Sequence, residues 1–166
     1  TGTGTTTARA MASANAVDAA VTSAPKAIYL KDYERPAYAF ERVHLNFELG
    51  EATTTVTSTV RVRPESDAGG KTLFLHGDES VELASIAVNG EAFTTYERTA
   101  KGIALSSLPT AAFDLRVETV IKPQENTALE GLYKSSGNFC TQCEAEGFRR
   151  ITFYQDRPDV MSIFTT

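Results

Sequence analysis

Alternation of apolar and polar residues organises most of this chain. Val43, Leu45, Phe47 and Leu49 alternate with His44, Asn46 and Glu48, which predicts a half-buried strand. Gly50-Glu51 can turn the chain, and Val56, Val60 and Val62 then share one phase of a threonine-rich run. Threonine suits a strand because its branched Cβ fits the pleated surface. Pro64 and the polar stretch to Gly70 close this second strand. Thr72 to Leu75 is a short apolar strand ending at His76-Gly77, and Val81 to Val88 is another. Asn89-Gly90 follows, a hairpin signal because both residues tolerate positive φ, so Glu91 to Tyr96 is expected to return along it. After Lys101-Gly102, Ile103 and Leu105 resume the pattern until Pro109. Phe113, Leu115, Val117, Thr119 and Ile121 alternate with Asp114, Arg116 and Glu118 until Pro123. No amphipathic helix is legible between Lys26 and Cys143. The pattern predicts a mainly β domain, a twisted and mostly antiparallel sandwich.

Two ends depart from it. Residues 1–25 consist almost wholly of Thr, Ala, Ser and Gly, with Arg9 and Asp18 the only charges. Such a segment has little to bury and is expected to be disordered, as a flexible linker or as the remnant of an organelle transit peptide. The compartment stays open between cytoplasmic and organellar. At the other end, Pro158 is placed for the first turn of a short helix, with Asp156 or Asp159 near its positive end. Phe164-Thr165-Thr166 reads as the start of a further strand.

Composition narrows the partners. With 166 residues the chain is long enough for one cored domain, residues 26–166. A net charge of -5 without any cluster of Lys and Arg argues against a nucleic-acid surface or a polybasic membrane patch. No apolar run approaches the roughly 20 residues of a spanning helix.

The densest chemistry lies in Phe139 to Asp159, where two cysteines, an amide, several carboxylates and three arginines crowd together. If Phe139 to Glu146 is a strand, Gln142, Glu144 and Glu146 share one face, either as a solvated edge or as a small acidic, amide-bearing ledge. Cys140 and Cys143 form a Cys-x-x-Cys pair. A redox motif of that kind wants a βαβ setting, and a closed zinc site wants four ligands, with only His44 and His76 left to help. The cysteines are therefore expected to be small buried residues. Glu144 and Glu146 are neighbours and cannot flank a glycosidic bond from two sides. A fixed carboxylate beside an amide oxygen suits a primary ammonium, which offers three N–H donors and a charge.

The same stretch resembles a known signature. Gly131-Leu132-Tyr133, then Gln142-Cys143-Glu144-Ala145-Glu146-Gly147-Phe148-Arg149, then Asp156-Arg157-Pro158-Asp159 are similar in order and interval to the aminopeptidase N family of zinc metalloaminopeptidases. The resemblance is strongest from Asn126 to Thr166 and reaches back to about Lys26. It implies the family's saddle-like amino-terminal β domain, truncated before its last strands. It also implies that Glu144 holds the free amino terminus of a peptide and that Gln142 lines the pocket for its first side chain. Glu146, Arg149 and Arg157, with Asp156 and Asp159, are expected to be ion-pair partners around them.

The family's zinc is held by a His-Glu-x-x-His helix and a later glutamate, and a Gly-Ala-Met-Glu-Asn stretch supplies a second carboxylate. Neither motif occurs here. The expectation is a fragment that recognises the amino terminus of a peptide substrate, carries no catalytic or metal-ligating residue of its own, and partners a separate zinc-bearing catalytic domain. The alternative is a non-catalytic β-sandwich interaction module of the same descent.

Overall fold

The computed structural model describes residue 27 and residues 29–166; the alanine- and threonine-rich leader expected at residues 1–25 lies outside these. The chain divides into two units, Thr1–Glu34 and Arg35–Thr166. The described part of the first carries a single 3-10 turn, Leu30–Asp32.

The second unit is built from eleven strands. They are β1 (Tyr38–Leu49), β2 (Thr54–Pro64), β3 (Leu73–His76), β4 (Glu82–Val88), β5 (Glu91–Ala92), β6 (Tyr96–Thr99), β7 (Gly102–Leu105), β8 (Phe113–Ile121), β9 (Gly131–Ser135), β10 (Asn138–Gln142) and β11 (Ile163–Thr165). Six form one sheet in the order β11-β1-β2-β8-β4-β5; β3-β7-β6 and β10-β9 form two smaller ones. All pairings are antiparallel except β1 with β11, where Val43 faces Phe164. The mainly β architecture read from the alternation is the one observed.

The core follows from that alternation. On β8, Phe113, Leu115, Val117, Thr119 and Ile121 are buried, and Asp114 and Arg116 between them are exposed. Thr54, Val56, Ser58, Val60 and Val62 of β2 bury the matching face. β1 begins five residues before the alternation visible from Val43. Its register shifts between Phe40 and Arg42, where Glu41 is the extra residue of a bulge, so Tyr38 and Phe40 point inward with Val43 and Leu45. Leu73 and Leu75 of β3 and Ile103 and Leu105 of β7 are fully buried and complete the cluster.

Two expectations about local structure are corrected. The return from Asn89-Gly90 stops after the two residues of β5, and Tyr96 belongs to β6 in a different sheet. The segment around Pro158 is a turn closed by Val160 N donating to Arg157 O at 3.1 Å, and the short helical turn lies earlier, at Phe148–Arg150.

That turn is anchored by aromatic packing. Tyr154 meets Phe40 and Phe148 edge-on at 5.2 and 5.0 Å between centroids, and Phe164 of β11 lies 5.9 Å from both Phe148 and Tyr154. The Tyr154 hydroxyl and Ser162 Oγ are 2.8 Å apart, and Ser162 Oγ donates to Phe40 O at 2.8 Å. The loop bearing the candidate chemistry therefore leaves a hairpin and returns onto a packed aromatic floor.

Candidate functional site

The predicted shared strand face is not what forms. β10 ends at Gln142, which pairs with Gly131 of β9, and Cys143 to Gly147 make a tight turn. Gly147 N donates to Cys143 O at 2.8 Å and closes it. The Glu144–Ala145 peptide is cis, and Glu146 has φ of 65°. Polar alternation from Gln142 to Glu146 mimics a strand edge, but the exposed side chains are equally served by a turn. Gln142 and Glu144 still end up together: Gln142 Nε2 donates to the main-chain oxygen of Glu144 at 3.0 Å, and both residues are exposed. That bond uses an amide N–H and leaves Gln142 Oε1 as an acceptor.

Two glycines make the turn fit. A Cβ on Gly147 would stand 2.7 Å from Gln142 O and 2.9 Å from Cys143 Cα. One on Gly131, at φ of 73°, would stand 2.7 Å from Arg150 Cβ. The backbones of β9, β10 and the 148–150 turn thus approach too closely for any side chain between them. Sequence reasoning recorded both glycines in the signature but missed this steric role; their recurrence beside the charged block was the available signal.

The charges sort cleanly. Arg149 Nε donates to Asp156 Oδ2 at 2.9 Å, its main-chain N reaches the same oxygen at 3.2 Å, and its Nη2 lies 3.2 Å from Glu146 Oε2. Arg150 pairs with Glu130 at 2.9 Å and Asp78 at 3.4 Å, two partners not foreseen from the sequence. Arg157 pairs with Asp159 at 2.7 Å. The expected ion-pair roles of Glu146, Arg149, Arg157, Asp156 and Asp159 are what the geometry contains. Glu144 is the carboxylate of this block whose side chain takes no cation among the described residues.

The remaining candidates separate from the site or change character. His44 is exposed on β1. His76, at the end of β3, bridges its backbone to Tyr154, and its Nδ1 is buried without a hydrogen-bond partner. Burial, and then the Arg149 guanidinium, hold its pKa below the ordinary 6.5. The cysteines are corrected: both are free thiols, Cys140 half-buried and Cys143 exposed, because the strand ends before Cys143 and lifts it into the turn. Cys143 is exposed as a residue, yet its sulfur is partly desolvated; that desolvation, and then the Asp156 carboxylate, push the thiol up, which disfavours the reactive thiolate. Among the described residues no three His, Cys, Asp or Glu side chains converge as a metal site would require. Among the described residues, then, no set of side chains fits a zinc ion. No helix among them is long and apolar enough to cross a membrane.

Open, mainly antiparallel sheets in this arrangement define a class of fold, the β domain found in solved M1 zinc aminopeptidases. Aminopeptidase A from Legionella pneumophila, solved with aspartic acid, superposes with a TM-score of 0.73 at 27% identity, over 81% of this chain and 16% of that one. An M1 zinc metallopeptidase from Deinococcus radiodurans, solved with a Tyr-Ser-Ala substrate, shares the fold with a TM-score of 0.62 at 17% identity, over 77% of this chain and 31% of that one. Sequence comparison is sharper. Aminopeptidase N of Escherichia coli strain K12 is 42% identical over 146 residues, covering 88% of this chain and 16% of the relative. That of Caulobacter vibrioides is 43% identical over 148 residues, covering 87% and 17%. No protein-family profile matches. The chain belongs to the aminopeptidase N family, and it spans about one sixth of the length of the curated relatives it matches.

Proposed function

We propose that this chain is the amino-terminus-recognising part of a zinc-dependent aminopeptidase, in which Glu144 binds the α-ammonium of a peptide and Gln142 borders its first side chain. The observation that carries this reading is the charge accounting of the turn. Three arginines take Glu146, Asp156, Glu130, Asp78 and Asp159; the exposed Glu144 carboxylate has no cation among the described residues, and its main-chain oxygen accepts the Gln142 amide. A fixed carboxylate and an adjacent acceptor suit the three N–H donors of an ammonium. Reading that group locates the first peptide bond, because the amine and the scissile carbonyl belong to the same residue, one Cα apart. The chain's own contribution is then binding and orientation. Zinc, the hydrolytic step and the catalytic domain belong to the longer enzyme, and the 166 residues alone are expected to be inactive.

In the complete enzyme, Glu144→Ala removes one charge-assisted interaction of about 1.5–3 kcal/mol. The expected loss in kcat/KM for peptides with a free amino terminus is roughly 10- to 150-fold, with little change in fold. Unchanged kinetics would dismiss the assignment, whereas a complete protein without peptidase turnover would favour the non-catalytic interaction module.

A further inference from the structure

We propose that Arg149 is a positioning residue that holds Glu144 in its amine-binding place by clamping the far side of the turn; this rests on the reading of Glu144 above. Only Ala145 separates Glu144 from Glu146, and Glu146 sits in the left-handed region, at φ of 65°, which a side chain bearing a Cβ rarely adopts without local support. Its support is Arg149, whose Nη2 lies 3.2 Å from Glu146 Oε2. The guanidinium is itself immobilised. Asp156 Oδ2 accepts from Arg149 Nε at 2.9 Å, and Asp156 O accepts from Arg149 Nη2 at 3.0 Å. The Arg149 main chain is tied as well, its carbonyl accepting from Asp78 N at 3.0 Å.

On the near side the turn is held by Gln142 Nε2 donating to Glu144 O, and at its base by Gly147 N donating to Cys143 O. The Glu146–Arg149 pair is thus the side-chain tether on the carboxy-terminal limb, and it runs back to the rigid segment at Asp156. The Glu146 side chain is 61% exposed and that of Arg149 25%. An exposed pair contributes little to global stability, so its use here is geometric. It fixes where the turn, and hence the Glu144 carboxylate, stands.

The test uses the complete enzyme, metal-free, and measures by calorimetry the ratio of affinities for leucinamide and its des-amino analogue 4-methylpentanamide. Glu144→Ala should lower the preference for the amine roughly 10- to 150-fold. Arg149→Gln and Glu146→Gln should each lower it roughly 3- to 30-fold while leaving 4-methylpentanamide binding unchanged, because misplacing a binding group weakens only what it contacts. Arg149→Lys, which keeps the charge, should recover part of the loss. In the Glu144→Ala background neither substitution should have any further effect. If Arg149→Gln disturbs folding, Glu146→Gln decides, since it removes only an exposed partner. The positioning role is overturned if both variants keep the wild-type ratio while Glu144→Ala loses it, or if their effect persists without Glu144. A wild-type ratio in Glu144→Ala itself would instead overturn the amine-binding reading.

Discussion

Replacing Gly147 with Ala gives a clean test of the geometry of the turn, because backbone and packing pull in opposite directions. Gly147 has φ of -82° and ψ of -14°, a conformation alanine adopts readily. With nothing else in play, the substitution would stabilise the protein by about 0.4–1 kcal/mol through the unfolded chain. The added Cβ, however, would stand 2.7 Å from Gln142 O, 2.9 Å from Cys143 Cα and 3.2 Å from Cys143 C. These are main-chain atoms of a paired strand and a closed turn, and they cannot rotate aside. Relief requires a shift of several tenths of an ångström. Either the end of β10 is pushed away from β9, or the 2.8 Å bond from Gly147 N to Cys143 O opens. Overpacking of this kind costs about 1–3 kcal/mol, and a lost hydrogen bond about 0.5–1.5 kcal/mol. The net expectation is a loss of about 1–3 kcal/mol, opposite in sign to the backbone effect. Equilibrium urea unfolding at constant m-value measures it. Gly69→Ala is the control: nothing lies within 4 Å of its would-be Cβ, so the same substitution should be neutral or stabilising there. A Gly147→Ala variant as stable as the wild type would refute the close approach, and with it the account of why the turn holds its shape.

Two further outcomes are expected. Tyr38→Phe removes a hydroxyl that donates to Lys71 O at 2.7 Å but keeps the ring that meets Phe113 edge-on at 6.5 Å, so it should cost about 1 kcal/mol in urea unfolding. His76 has its folded-state pKa lowered, by burial first and the Arg149 charge second, with Asp156 and Glu146 opposing. Its contribution is therefore complete above the unfolded value near 6.5 and is lost as pH falls through the lower folded value. His76→Leu should lose less stability than the wild type between pH 7.5 and the acid side of that window, and parallel curves would show that His76 does not titrate differently in the fold.

Most of the fold was legible where alternation ran unbroken. β8 is the clearest case, since Phe113 to Ile121 face the core at every second position and the polar residues between them face out. Legibility failed where the backbone changed phase. The bulge at Glu41 hid the first part of β1, because Tyr38 and Phe40 lie out of step in sequence with Val43 and Leu45 though all four are buried. The parallel pairing of β11 with β1 could not be seen at all, since three residues carry no register and the pairing depends on the Phe148–Tyr154–Phe164 contacts. At the site, residue types were legible and geometry was not. Gln142, Glu144 and Glu146 looked like one face of a strand, but period-2 polarity cannot distinguish an exposed strand edge from an exposed turn. The turn follows from close backbone approach at Gly131 and Gly147, a fact about three segments meeting in space.

The proposed binding role falls to Glu144 rather than Glu146 for a physical reason. In sequence the two are equivalent, acidic neighbours two positions apart. In the fold, Glu146 turns toward Arg149, whose other face is taken by Asp156, and this partnership is possible because Asp156 is brought back beside the turn by the 151–155 segment packed in the core. Glu144 accepts the Gln142 amide at its main-chain oxygen, and its carboxylate forms no ion pair among the described residues. Desolvating a carboxylate already paired with arginine would cost a ligand both the existing pair and the water around it, whereas an unpaired exposed carboxylate costs only the water. An arriving ammonium therefore gains most at Glu144. Arg149 and Arg157 occupy the other carboxylates of the block, so on the proposed reading the cation site is selected as much by what is neutralised around it as by what is left over.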